Sequence, residues 1–221
     1  MTPDALHAAM HTLLQDVSQK VILPRYQTLA THQIFAKAAD DVVTVADQEA
    51  EERLSEGLAK IIALPVVGEE ASHADASVQD RLAGDCWIVD PLDGTRNFAN
   101  GRPPFGILIA MASGGEAHTG WIYDCLTDRL CIAHRGKGAF INGEKIVARP
   151  TGETPPVAAI SLIFMDQAKR EAVKAAIGGR YRCCSWAWPS AMASSPGSVT
   201  ITGWLTSRGA LPSNTRASRS A

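Results

Sequence analysis

Trp87-Ile88-Val89-Asp90-Pro91-Leu92-Asp93-Gly94-Thr95 is the stretch on which the reading of this chain turns. Trp87-Ile88-Val89 is a short apolar run of the kind that forms a buried strand, and a carboxylate ends it. A second carboxylate, Asp93, follows three residues later, and Gly94-Thr95 leads into a helix start. Both acids are therefore expected on stiff backbone. Two carboxylates this close repel unless a cation lies between them, and an all-oxygen set suits Mg2+. Backbone N–H groups at Gly94 and Thr95, at the positive end of the following helix, are placed to hold a phosphate beside that ion. Glu69 and Glu70 end the apolar run Leu64-Pro65-Val66-Val67-Gly68 and offer two further carboxylates. The residues alone point to metal-assisted hydrolysis of a phosphate ester.

The 221 residues suffice for one substantial core. A formal net charge of −2 gives no case for a nucleic-acid polymer or an anionic membrane as partner. The best apolar run, 103–113, is too short to span a bilayer. Asp4 and the lack of a basic stretch before an apolar core give no expectation of a secretory signal. Five cysteines, odd in number and mostly in apolar strings, are expected as reduced thiols of a cytoplasmic protein. Cys183-Cys184 lacks the paired spacing of a zinc site.

Charge is unevenly placed. Every Asp and Glu lies at or before Glu171, whereas six Lys or Arg follow from Ala172 onward. From Cys183 the chain turns rich in Ser, Trp, Pro and Arg, with no sustained helical or strand period. Residues 1–182 are thus expected to form a phosphatase-like α and β unit carrying the metal site. Residues 183–221 are expected to be an atypical tail, or a sequence read out of its original frame.

Periodicity predicts a first helix over Pro3–Leu29, kinked or ended at Pro24. An acidic amphipathic helix is expected from Asp47 to about Ile62, with Leu54, Leu58, Ile61 and Ile62 inward. Leu64–Gly68 and Cys86–Asp90 read as strands, His73–Gly84 as a loop with a short helix, and Thr95–Asn100 as a short helix. Phe105–Ala112, Ala117–Tyr123 and Arg129–His134 read as a meander, and Asn142-Gly143 as a further hairpin turn. After a Pro/Gly-rich loop over 150–156, Val157–Ile163 is expected as a strand and Gln167–Ile177 as a helix ended by Gly178-Gly179. The pattern is that of layered α and β structure.

Taken in order, Val43-Thr44-x-x-Asp47, Gly68-Glu69-Glu70, Trp87 to Thr95 followed by x-Asn97-Phe98, and Gly136-x-Gly138-Ala139-Phe140-x-Asn142-Gly143 resemble the inositol monophosphatase family. These are Mg2+-dependent, often lithium-sensitive sugar-phosphate phosphatases. The resemblance covers roughly residues 5–180. It implies an α-β-α-β-α sandwich, usually a homodimer, acting on a small phosphorylated polyol or sugar-like substrate. By the same resemblance Glu69, Asp90 and the Leu92 carbonyl are ligands of a first Mg2+, Asp90 and Asp93 share a second, and Glu70 helps bind a third. Asp47 and Thr95 are similar to the pair that orients and activates the attacking water. Asp93, Gly94 and Thr95 line the phosphate, and Lys37 falls in a loop over the site. Plainer readings exist for each: Asp-Pro and Asp-Gly as turn formers, Glu69 as a loop cap, Glu70 as solvated acidic surface, Asp47 as a first-turn acid, Thr95 as a helix cap, Gly94 as a turn glycine, Lys37 as an exposed lysine.

The family continues to a Trp-Asp-x-x-x-Gly motif whose aspartate completes the second metal site, and this chain has no acid there: Trp186, Trp188 and Trp204 are not followed by Asp. Two function classes stay open. One is a phosphomonoesterase for inositol phosphate, histidinol phosphate, fructose bisphosphate or a 3'-phosphonucleotide. The other is an inactive or weakly active protein that binds metal and phosphate without turnover.

Overall fold

Met10, Leu14, Val17, Val21 and Ile22 recur at helical spacing, and each is buried. They open the computed structural model, which describes residues 1–38, 41–147, 158–160, 166–176, 178 and 181–183. Helix α1 spans Pro3–Val17, with the Thr2 hydroxyl accepting from the Ala5 N–H and Pro3 in the first turn, where its missing N–H costs nothing. The expected helix to Leu29 is not one regular element. The path widens into a π turn over Ser18–Ile22 and tightens into a 3-10 turn over Leu23–Arg25. The wide turn keeps Ser18, Val21 and Ile22 fully buried, and Pro24 has no N–H with which to continue.

Strands β1 (Ile34–Ala38) and β2 (Asp41–Thr44) form an antiparallel pair that the sequence reading did not separate out. Helix α2 (Val45–Ile61) follows, then β3 (Val66–Gly68), α3 (Glu69–Ala74), a 3-10 helix over Ala76–Ala83, β4 (Cys86–Asp93) and α4 (Thr95–Ala99). The meander comprises β5 (Gly106–Ser113), β6 (Glu116–Asp124), β7 (Arg129–His134), β8 (Gly138–Ile141) and β9 (Glu144–Ile146). With β3 and β4 these form one sheet in sequence order, β3 parallel to β4 and every other pair antiparallel. Beyond it, β10 (Ala158–Ile160) and β11 (Tyr181–Cys183) pair in parallel, with α5 (Gln167–Ala176) between them in sequence. The expected tail from 184 onward and the loop over 150–156 lie outside the described residues.

Strand periodicity explains the layering. Trp87 and Val89 of β4, Ile107 and Ile109 of β5, and Trp121 and Tyr123 of β6 point to one face and pack on Leu14, Leu54 and Leu58 of α1 and α2. Cys86, Ile88, Ala110 and Ala112 point to the other face, under Val78 and Leu82 of the 3-10 helix. Strand β4 is buried at all eight positions, which is why its sequence reads as a continuous apolar run up to Asp90. The result is a mixed sheet flanked by helices on both faces. Cys86, Cys125 and Cys131 are buried free thiols. No helix among the described residues is long and apolar enough to cross a membrane.

A polar chain ties α1 to the sheet. The Trp121 Nε1–H donates to His7 Nδ1 at 3.2 Å, so His7 carries its hydrogen on Nε2, which lies 2.9 Å from His134 Nε2. His134 must then accept there and present Nδ1–H to the Thr119 hydroxyl at 3.1 Å. Protonation of either ring sets two donors face to face. Burial lowers both pKa values; the charge of His134 adds to this at His7, against Asp4, and Lys137 adds to it at His134. Below about 6.5 the unfolded chain takes protons that the folded pair resists, so this pair loses stability as pH falls. Relative to a His7→Gln/His134→Gln variant, the parent should lose melting temperature between pH 7.5 and 5.5; parallel curves would contradict the assignment.

Candidate active site

The parallel pairing of β3 with β4 places the site. Gly68 lies opposite Val89, so the next residues along the two strands, Glu69 and Asp90, come side by side. Strand β4 was expected to end at Asp90 but continues to Asp93. In a regular strand residues 90 and 93 would face opposite ways. Here the ladder is irregular between them, three steps on β4 matching two on β5, from Leu108 to Gly106. An irregularity of this kind re-aims a side chain.

Gly94 is required by its backbone. Its φ of +85° is left-handed, and a Cβ there would come within 2.8 Å of the Pro104 carbonyl. Gly94, not Thr95, is the cap of α4, which corrects the capping reading of Thr95. A hydrogen bond from the Gly94 backbone to the Asp93 carboxylate works against the rise of the Asp93 pKa. The Thr95 hydroxyl lies 2.9 Å from Asp47 Oδ1 and 2.8 Å from the Leu92 carbonyl. With one hydrogen, it donates to one of them at a time.

Asp47 sits in the first turn of α2, where a capping box fixes it. Its Oδ2 accepts from the Thr44 N–H at 2.8 Å and the Thr44 hydroxyl at 2.6 Å. The plain cap reading and the pairing with Thr95 therefore hold together: one oxygen caps, the other faces Thr95.

The carboxylates are costly where they stand. Asp47, Asp90 and Asp93 are 2%, 5% and 8% exposed. Burial pushes the Asp47 carboxyl up to about 7 despite the hydrogen bonds from Thr44 and Thr95, and Glu70 adds repulsion. Asp93 is likewise pushed up to about 7 by burial and by the charge of Glu69. Asp90 is raised well above the usual range by burial, then by the charges of Glu69 and Asp93, a hydrogen bond with Glu69, and the charge of Asp47.

As donors, these carboxylates and the Leu92 carbonyl are all hard oxygens, and their buried mutual repulsion is what a divalent cation relieves. In donor chemistry the set fits Mg2+. In position it is not a ligand cage: among the described residues no group of three or more His, Cys, Asp or Glu side chains is arranged to hold a metal ion. The Lys37 side chain lies outside what is described.

One acid escaped the sequence reading. Glu51 is 7% exposed, and its carboxyl is raised by burial and by Glu70 and Glu69. The signal was available: Glu51 falls on the inward stripe of α2 with Leu54 and Leu58, where an acid is out of place.

The profile of the inositol monophosphatase family matches residues 5–174. The histidinol-phosphatase of Chlorobaculum parvum is 34% identical over 168 residues, 76% of this chain and 60% of that protein. The inositol-1-monophosphatase of Rhizobium meliloti is 37% identical over 114 residues, 52% of this chain and 42% of that protein. Among solved structures, the extragenic suppressor protein suhB of Bartonella henselae superposes with a TM-score of 0.69 at 25% identity, covering 87% of this chain and 75% of that one. The chain thus spans 60% or less of the length of these two curated relatives.

Proposed function

This chain belongs to the inositol monophosphatase family, and from that premise we propose that it is a Mg2+-dependent phosphomonoesterase in which water attacks the phosphorus of a small polyol or sugar-like phosphate ester. The observation that carries the proposal is the Asp47–Thr95 contact of 2.9 Å beside the buried Asp90 and Asp93. Glu69, Asp90, Asp93 and the Leu92 carbonyl are the oxygen donors that would hold the metal, with Glu70 at their edge, although they are not gathered into a cage in this structure. Bound there, Mg2+ supplies Lewis-acid stabilisation of the charge that builds on the phosphoryl and leaving oxygens.

The protein's own residues do the rest. Thr95, donating to Asp47, keeps a lone pair to accept from water and so aims the water's oxygen. Asp47 takes the proton that passes through Thr95 as the new P–O bond forms. The ester P–O bond breaks with its electron pair to the leaving oxygen, which takes a proton from solvent. Asp93 and the start of α4 position the phosphate. The same reading includes a homodimer in the cytoplasm and inhibition by Li+.

A panel of inositol 1-phosphate, histidinol phosphate, fructose 1,6-bisphosphate and a 3'-phosphonucleotide, assayed with Mg2+ and with or without Li+, tests it. Release of phosphate from at least one is expected; no release by folded, Mg2+-saturated protein would end the enzyme reading. Thr95→Ala should lower kcat about a hundredfold while leaving Mg2+ affinity unchanged, and an unaltered rate would remove Thr95 from the chemistry. A second reading, metal and phosphate binding without turnover, is favoured by one observation: no Asp or Glu follows Glu171. Mg2+ binding by calorimetry with no hydrolysis across the panel would establish it.

A further inference from the structure

We infer that Glu51 is a positioning residue for the proposed site, the group that fixes Glu69 and Glu70 against Asp47. The inference rests on the metal-site reading above. Helix α3 starts at Glu69 with Gly68 as its cap, and glycine has no side chain to satisfy the free N–H groups of a first turn. Glu51 supplies the cap from another element. Its Oε2 accepts from the Glu70 N–H at 2.7 Å, and its Oε1 from the Ala71 N–H at 2.8 Å.

Both oxygens are committed, and the group is almost fully buried. A neutral glutamine could not replace it. It offers one acceptor and turns an NH2 toward a second N–H donor. Gly68 belongs to the same device, because a Cβ there would overlap the Glu51 carboxylate. A buried charge set against Glu69 and Glu70 is a poor way to stabilise a fold. It is the arrangement needed when two parallel N–H donors at the positive end of a helix must be held at one distance.

The geometry joins the two halves of the site. Glu51 lies four residues after Asp47 on α2, hence on the same helical face. The helix that carries Asp47 thereby holds the helix that carries Glu69 and Glu70. Without that tie, the Glu70 and Ala71 N–H groups lose the carboxylate they donate to, and Glu51 no longer sets the approach of Glu69 to Asp90.

Mg2+ binding measured by calorimetry on the full chain tests this, with circular dichroism to show that each variant is folded. Glu51→Gln should raise the Mg2+ dissociation constant about ten- to hundredfold, as loss of a group that orients a ligand does. Where activity is measurable, the Mg2+ concentration for half-maximal rate should rise by the same factor while the rate at saturating Mg2+ changes little. Gly68→Ala keeps every charge but displaces the carboxylate, so it should weaken Mg2+ binding similarly. Weakening in Glu51→Gln alone would reduce Glu51 to a general electrostatic effect and overturn the inference. So would a lower melting temperature with unchanged Mg2+ affinity in both variants. Asp90→Asn serves as the control: if it too binds Mg2+ like the parent, the metal-site reading itself fails, and this inference with it.

Discussion

Asp90→Asn is expected to raise the melting temperature of the metal-free protein at pH 8 and to weaken its Mg2+ binding in the same step. Asp90 is 5% exposed, and burial followed by the charges of Glu69, Asp93 and Asp47 holds its carboxyl well above the ordinary range. Asparagine keeps the volume, so no cavity opens, and removes an acid whose ionised form its neighbours oppose. Its amide oxygen still accepts from the Leu92 N–H, and its amide nitrogen is a donor for Glu69. Relief of that repulsion should raise the midpoint by several degrees. With Mg2+ the order reverses, because the variant has lost a charged ligand; its dissociation constant should rise at least about tenfold. Thermal unfolding and calorimetry read the two effects separately. A variant that melts lower at every Mg2+ concentration would make Asp90 structural, and one with parental affinity would remove it from the metal site.

The second large effect is a loss of stability of the metal-free protein as pH rises. Asp47 and Asp93 are both pushed from 3.8 to about 7. Below 3.8 these groups are protonated whether the chain is folded or not, and they contribute no difference. Between 3.8 and about 7 the unfolded chain releases protons that the folded one retains, so stability falls with rising pH. Above 7 the full penalty stands, up to about 4 kcal/mol per group for a shift of that size. The His7–His134 pair works with the opposite sign below about 6.5, so the carboxylate effect is read most cleanly in the His7→Gln/His134→Gln background. There the melting temperature should fall steadily from pH 5 to pH 8 without metal and should level when Mg2+ is added at pH 8. A midpoint that rises over this range without metal would contradict the assignment of buried, protonated acids.

How much of this was legible in the sequence depends on how local each feature is. The run from Trp87 to Thr95 carries its own strand, its acids and its turn glycine, so a buried strand leading to Asp90 could be placed from residue types alone. Its continuation to Asp93 could not, because the irregular ladder with β5 depends on a strand that comes later in the chain. The pairing of Asp47 with Thr95 joins residues 48 apart, and only the resemblance to a family suggested it. Glu51 looked like one more acid in an acidic helix; its partners are backbone N–H groups of α3, which no side-chain pattern marks. The apolar period runs on past Val17 and suggests one helix to Leu29, whereas the need to bury Ser18, Val21 and Ile22 widens the turn before Pro24 is reached.

On this reading, buried acids at the end of β4 hold protons in place of a cation. Titration of Mg2+ into the full chain at pH 7, in two buffers of different ionisation enthalpy, tests it most directly. Binding heats that differ between the buffers, with net release of protons as the ion enters, are the predicted result. Heats that are the same in both buffers, or no binding heat at all, would contradict it.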